Sequence, residues 1–251
     1  MLRNCNFSLE HYFKVLNSVK KEYTIGTIGE YHKLRKLKKF LILRHDVDFS
    51  LDYALKMAEE EKKNEIKSTY FILIHGDYYN PFDKKNAEII KEISKLGHEI
   101  GLHYDTSFFP RSSKKEIEFI IKEAKMLEII IQKKITSVSQ HIPSETREIF
   151  INLRESGFID SRDSEITDQV KYISDSGHYW REGCMCKHIK NFERLQILTH
   201  PIWWMNIGKR NEILSEFNKN EKQRIDLKIN DYKGMVNRLL IKLNAPSDEF
   251  E

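Results

Sequence analysis

Two aspartates separated by one residue follow a short apolar run. Residues 39–44 (KFLILR) have the length and composition of a buried strand, and Asp46 and Asp48 come directly after them. Carboxylates two positions apart on an extended chain point to the same side, where they repel each other. A divalent cation removes that conflict, because one carboxylate binds it while the other accepts a proton from the attacking water. Alone, the pair is equally typical of a cap or a salt-bridge cluster.

Other predicted strands also end in polar residues, with histidine prominent among them. The residues at these ends are His45, His75, Asp77, His103, Asp105, Gln140, His141 and His200. The carboxyl ends of parallel strands form the functional edge of an α/β sheet or barrel, so these side chains are expected to converge there. Imidazole is a preferred zinc ligand. A histidine beside a pocket can also protonate an amine leaving group, because its pKa lies near neutrality.

The segments between these residues alternate in type. Apolar runs of strand length are separated by segments of helical period, such as residues 50–64, 84–96 and 113–133. Gly97 stands where a helix end takes a left-handed residue, and Ser144 is placed to cap a helix that runs to about 156. Such alternation predicts a parallel sheet with helices outside it.

The length of 251 residues fits one barrel-sized domain. We expect that domain to cover residues 1–251, with an N-terminal helix at about 8–23 and a charged C-terminal helix at about 218–243 as additions. The two tryptophans after His200, Trp203 and Trp204, could stack on a sugar face or simply plug the barrel mouth.

Composition argues against two classes of partner. The net charge of +4 is spread along the chain without a basic stripe interleaved with aromatic residues, so nucleic acid is not expected. No apolar stretch reaches the length of a signal peptide or of a membrane span, so a cytoplasmic location is expected. The oligomeric state stays open.

The cysteines are few and unevenly spaced. The sequence holds 3 of them, Cys5, Cys184 and Cys186, which is not a disulfide framework. Cys184-Met185-Cys186 has the form of half a metal site, but the sequence offers no second pair. We therefore do not predict a metal there.

Four segments together resemble the polysaccharide deacetylase superfamily. They are residues 43–48 (LRHDVD), 68–71 (STYF), 97–103 (GHEIGLH) and 198–201 (LTHP). Residues 97–103 are the most specific, because a glycine, a helix end and a strand fall there as they do in the family. The resemblance implies a distorted (β/α) barrel with parallel strands and outer helices, which removes acetyl groups from sugars with the help of a divalent metal.

The resemblance also implies roles for individual residues. Asp46 matches the catalytic base, Asp48 the metal-binding aspartate, His103 the first histidine ligand and His200 the catalytic acid. Arg44 is grouped with the catalytic residues because it can orient Asp46 through a charge-assisted hydrogen bond. Zinc is the expected metal. The predicted substrate-binding residues are Trp203, Trp204, Tyr104 and Asp175.

The sequence departs from the family at one ligand. The second histidine usually follows the first by four residues, and that position is Ser107 here. Serine is a poor zinc ligand, so the third ligand is predicted to be His141, from another strand end, or Asp105, if the loop brings it round. A lost metal site is the third possibility.

Residues 172–177 (YISDSG) and 180–183 (WREG) are similar to an intracellular branch of the superfamily associated with bacterial surface-glycan biosynthesis. The predicted function is therefore hydrolysis of an N-acyl group on a sugar that is linked to a nucleotide, a lipid or an oligosaccharide. Two alternatives remain: an amidohydrolase acting on a cyclic imide or ureide, and a non-catalytic glycan-binding homologue without its metal.

Overall fold

The computed structural model describes residues 5–110, 112–142 and 152–243. Within them, one parallel sheet of eight strands curls into a half-barrel with helices around it. The strands are β1 (Thr24–Gly26), β2 (Phe40–Val47), β3 (Thr69–Leu73), β4 (Glu99–Tyr104), β5 (Ser137–Gln140), β6 (Ile159–Asp160), β7 (Lys171–Ser174) and β8 (Arg194–Thr199). Their order is β6-β5-β4-β3-β2-β8-β7, and β1 pairs with the first half of β2. The predicted α/β fold, a distorted (β/α) barrel of parallel strands with outer helices, is confirmed.

The helices are α1 (Leu9–Asn17), α2 (Tyr31–Leu34), α3 (Leu51–Lys63), α4 (Lys84–Lys95), α5 (Ser113–Ile131), α6 (Ser164–Thr167) and α7 (Arg210–Lys242). The hydroxyls of Ser8 and Ser50 cap α1 and α3 by accepting backbone hydrogen bonds. Gly97 takes a φ of +102° after α4, as predicted.

Some predicted helix bounds differ from the observed ones. The N-terminal helix ends at Asn17 instead of continuing to 23, and α7 begins at Arg210, before the predicted 218. The helix predicted from Ser144 lies largely outside the described residues.

The chain divides into two compact units, residues 1–207 and 208–251. The first contains the sheet with α1–α6, and the second contains α7. None of the described helices has the length and apolarity needed to cross a bilayer.

Strand β2 separates two sets of polar side chains by simple alternation. Arg44 and Asp46 lie on the inner face of the curled sheet, where Arg44 reaches serines of the β5 and β6 region. His45 points to the opposite face and contacts Glu61 of α3. Alternating side chains on an extended strand therefore place the predicted catalytic residues together and direct His45 elsewhere.

A glycine on β4 makes room for the ring that supports Arg44. A Cβ at Gly101 would lie 2.4 Å from Cε1 of Phe71, closer than real contacts allow. The Phe71 ring in turn lies 4.9 Å from the Arg44 guanidinium in a cation–π contact. Gly101 thus sets the position of Arg44 through Phe71.

On the outer face, Glu61 is fully buried and accepts four hydrogen bonds. Its donors are Tyr12 Oη at 2.5 Å, Ser68 Oγ at 2.6 Å, Tyr70 Oη at 2.8 Å and His45 Nε2 at 2.9 Å. Burial alone would raise the pKa of Glu61, but His45 and the other donors outweigh it and lower the pKa to about 2. A buried carboxylate therefore joins α1, α3, β2 and β3.

This carboxylate predicts a specific acid dependence of stability. Because the folded-state pKa lies below the ordinary 4.5, its contribution is complete above pH 4.5 and is lost as the pH falls towards 2. We expect Glu61→Gln to lower the free energy of unfolding at pH 7 by about 3–5 kcal/mol, the usual effect of breaking a buried pair. Denaturant unfolding across this pH range should also show a flatter profile for the variant.

The matched control is Glu60→Gln, one residue earlier in α3, where the carboxylate pairs with Lys63 at the surface. It should leave both the stability and its pH profile close to wild type. Equal pH profiles for wild type and Glu61→Gln would contradict the assignment.

Candidate active site

Three side chains of the metal-ligating type meet at the carboxyl edge of the sheet. Asp48 follows β2, His103 lies in β4 and His141 follows β5, and one ligand atom of each lies within 4.8 Å of the others. His103 Nε2 is 3.4 Å and His141 Nε2 is 3.9 Å from Asp48 Oδ1. Parallel strand ends brought together in this way explain why residues 93 positions apart in sequence share one site.

The hydrogen bonds around this trio fit a divalent cation. His103 Nδ1 lies 2.9 Å from the Ser139 carbonyl oxygen and so donates to it, which leaves Nε2 with a lone pair in the neutral ring. That lone pair faces Asp48 Oδ1, which is buried and accepts no hydrogen bond from any described residue. Two lone pairs in contact require a proton or a metal ion between them. Two imidazoles and one carboxylate are ligands that zinc prefers.

The third metal ligand was predicted to be either His141 or Asp105. His141 turns its Nε2 towards Asp48, while its Nδ1 lies 3.4 Å from Asp105 Oδ2. Asp105 therefore lies behind the His141 ring, the usual place of a carboxylate that orients a histidine ligand. Ser107 is exposed in the turn Thr106–Phe108, with its backbone N–H donating to Asp105.

Asp46 lies beside the trio and is held by Arg44. Arg44 Nη2 donates to both Asp46 oxygens, at 2.7 and 2.6 Å, and also to Ser139 Oγ at 2.7 Å. The Arg44 Nη1 donates to Ser161. Burial works to raise the pKa of Asp46, but Arg44 and His103 outweigh it, so the pKa stays below its ordinary value. Asp46 is thus an ionised acceptor fixed in one orientation.

His200 directly follows β8, faces the trio and is paired with a buried aspartate. His200 Nε2 lies 3.7 Å from Asp48 Oδ2, while Nδ1 lies 2.6 Å from Asp175 Oδ1. Burial lowers the pKa of His200, but Asp175 more than compensates and raises it to about 9. His200 is therefore protonated at neutral pH, as a proton donor must be.

Asp175 was predicted to bind substrate, and its side chain is fully buried. Its oxygens accept hydrogen bonds from the His200 backbone N–H at 3.1 Å and from Trp204 Nε1 at 2.7 Å, as well as contacting the His200 ring. Asp175 is thus a positioning residue for His200.

The other predicted substrate contacts are buried as well. Trp204 is 1% exposed and packs against Phe7 and Tyr12, and Trp203 is 5% exposed. Tyr104 is 1% exposed and donates to Asp160, because it alternates with His103 and faces the other side of β4. Both indoles therefore pack inside the protein, as the second of the two possibilities requires, and stacking of either on a sugar stays a prediction.

Sequence reasoning missed the groups that support the site. Ser139 and Ser161 carry no motif and become recognisable only when β5 and β6 bring them to Arg44. Conversely, His75 was grouped with the strand-end residues, but its Nε2 pairs with Glu123 of α5 at 2.8 Å. The alternation of β2 was the one available signal that would have separated His45 from the site.

In comparisons with known proteins, the chain matches solved structures but nothing else. No protein-family model matches the sequence, and no curated protein does either. The solved structures that match include carbohydrate esterases of family 4 and peptidoglycan deacetylases.

One is a mutant, with restored enzymatic activity, of a pseudoenzyme of carbohydrate esterase family 4 from Bacillus anthracis, at 17% identity and a TM-score of 0.48. The match covers 74% of this chain and 64% of that one. A mutant of the peptidoglycan deacetylase PdaC from Bacillus subtilis matches at 16% identity and a TM-score of 0.47, covering 80% of this chain and 97% of that one. A family 4 acetyl xylan esterase from Clostridium thermocellum with cobalt bound matches at 14% and 0.42, covering 73% and 84%. Identities and TM-scores this low do not assign an activity to this chain.

The pairing of His200 with Asp175 predicts a measurable shift. Asp175→Asn removes the negative charge but keeps an acceptor for Trp204, so the pKa of His200 should fall from about 9 towards the ordinary 6.5. An NMR titration of the imidazole resonances in chelator-treated protein measures the change. Asp168→Asn, at an exposed position, is the control and should leave the titration unchanged. An unaltered His200 pKa in Asp175→Asn would contradict the pairing.

Proposed function

We propose that this chain is a metal-dependent deacetylase that hydrolyses an N-acyl group, such as acetyl, on a sugar. One observation supports it above the others: an ionised aspartate fixed by an arginine and a protonated histidine fixed by an aspartate flank the same three-ligand cluster. A base on one side and an acid on the other are the two groups that amide hydrolysis requires.

Each residue has a definite part in that reaction. Asp48, His103 and His141 would hold the metal, which supplies Lewis acidity at the acyl carbonyl oxygen when bound. Asp46 accepts the proton of the water that attacks the carbonyl carbon, while Arg44 keeps its orientation. His200 donates its Nε2 proton to the departing nitrogen as the carbon–nitrogen bond breaks. The products are a carboxylic acid and the free amine of the sugar.

An aromatic pair with one exposed and one half-buried ring is the best placed feature for the sugar ring. Phe49 directly follows Asp48, and the ring of Tyr78 stacks on it with 4.6 Å between centroids. Tyr78 is 46% exposed, in contrast to the buried tryptophans. A stacked aromatic face next to the ligand cluster would orient a sugar with its acyl group towards Asp46 and His200.

The wider role rests on the sequence resemblance of residues 172–177 and 180–183 to the surface-glycan branch. We expect the substrate to be an acylated sugar carrying a nucleotide, a lipid or an oligosaccharide, in bacterial surface-polysaccharide biosynthesis.

Two conservative variants separate metal binding from catalysis. Asp48→Asn should lower the zinc content by about one ion per chain and abolish turnover, since the carboxylate ligand is lost. Asp46→Asn should keep the wild-type zinc content and lower kcat about 10²–10⁴-fold, the usual loss when a general base is removed. Elemental analysis and acetate release from a panel of N-acetylated nucleotide sugars and oligosaccharides measure both effects.

The outcomes distinguish the alternatives. Hydrolysis of cyclic imides or ureides, with every acylated sugar untouched, would overturn the substrate class. Equal zinc contents in wild type and Asp48→Asn, together with no turnover in either, would favour the non-catalytic glycan-binding alternative.

The aromatic pair gives a separate test. Tyr78→Ala should raise KM several-fold with a smaller effect on kcat, because stacking contributes on the order of 1 kcal/mol to binding. Phe192→Ala is the control: its ring is similarly exposed but precedes β8, at the opposite edge of the sheet. Equal KM values for the two variants would contradict a role for Tyr78.

A further inference from the structure

Four metal-ligating side chains from distant parts of the sequence meet in a second cluster. They are Cys5, His11, Cys184 and Cys186, and one ligand atom of each lies within 4.8 Å of the others. Cys5 Sγ is 3.2 Å from Cys186 Sγ, and His11 Nε2 is 3.1 Å from Cys184 Sγ. Residues 184–186 alone form half a metal site, and the fold supplies the other half from the N-terminal segment.

The spacing suits a tetrahedral ion. Zinc–sulfur bonds of about 2.3 Å place tetrahedral sulfur ligands roughly 3.8 Å apart. The four ligand atoms all lie within 4.8 Å of one another, which accommodates that spacing. We propose that these three cysteines and one histidine bind a structural zinc ion. Because all four positions are protein ligands, the site has no open coordination position for substrate, unlike the Asp48 cluster.

Local structure prepares both halves of the site. His11 lies in the first turn of α1, where side chains lean towards the helix N-terminus and hence towards Cys5. The Ser8 hydroxyl caps that turn by accepting the His11 backbone N–H. On the other side, Gly183 takes a φ of +94° immediately before Cys184, and the short turn Met185–Lys187 carries Cys186.

The cluster joins parts of the chain that are 181 positions apart, close to the residues that hold His200. Phe7, between two of the ligands, stacks on Trp180 with 6.0 Å between centroids and packs edge-on against Trp204 at 5.3 Å. Trp204 donates to Asp175, and Asp175 orients His200. Zinc at this site would therefore stabilise the N-terminal segment over the support of the catalytic acid.

Cobalt substitution tests the proposal without any mutation. The sequence holds 3 cysteines and all lie in this cluster, so thiolate-to-cobalt charge-transfer absorption has a single possible source. The full chain, stripped with chelator under reducing conditions and titrated with Co²⁺, should develop that absorption together with the intense visible bands of tetrahedral cobalt. Zinc added afterwards should abolish both.

Paired variants assign the metal to its site. Wild type should hold about two zinc ions per chain, one for each cluster. Cys184→Ser with Cys186→Ser should lose one ion and the charge-transfer absorption, with a lower melting temperature. Asp48→Asn should lose one ion and keep the absorption. His11→Asn should weaken cobalt affinity, whereas His32→Asn, at an exposed position, should not.

The proposal fails if folded, reduced wild type binds cobalt without charge-transfer absorption. It also fails if all cysteines react with a thiol reagent equally fast with and without zinc. A Cys5–Cys186 disulfide that re-forms in the presence of zinc would overturn it as well. Because these measurements use wild type, they decide the matter even if a cysteine variant does not fold.

Discussion

The structure depends on one electrostatic constraint at the end of β2. Asp48 carries a buried oxygen that faces imidazole nitrogens instead of hydrogen-bond donors. Burying a charge without compensation is costly, so this arrangement is stable only with a cation or protons between the groups. The charged neighbours of Asp48 are balanced by partners of their own: Arg44 neutralises Asp46, and Asp175 neutralises His200.

Asp46 and His200, which flank the ligand cluster, are held in position by different parts of the structure. Asp46 is fixed from within the sheet, through Arg44 and the ring of Phe71 beneath it. His200 is fixed from outside the sheet, through Asp175 and the buried indole of Trp204. The base therefore depends on strand packing, whereas the acid depends on the connection between β7 and β8 and on the N-terminal segment that covers it.

Much of this could be predicted from the sequence, for a physical reason. The alternation of elements and the polar residues at strand ends are local patterns, so the parallel sheet and the grouping of Asp46, Asp48, His103 and His200 were accessible. The burial of a side chain, in contrast, depends on contacts with residues that are distant in the sequence. Tyr104 and Asp175 were predicted to contact substrate, yet the side chains to which they bond, Asp160 and His200, lie 56 and 25 residues away in the sequence. For the same reason, the sequence alone does not indicate that Cys5 and His11 lie beside Cys184.

The two faces of β2 also bear on how the chain avoids misfolding. A slip of one residue would turn Arg44 and Asp46 towards α3 and bring His45 into the site, because side chains alternate along a strand. Glu61 would then lose its imidazole partner, while Arg44 and Asp46, which move together, would leave Ser139 and Ser161. A misalignment by one residue thus leaves the buried Glu61 without its partner, so the residues that favour chemistry also select against that wrong strand pairing.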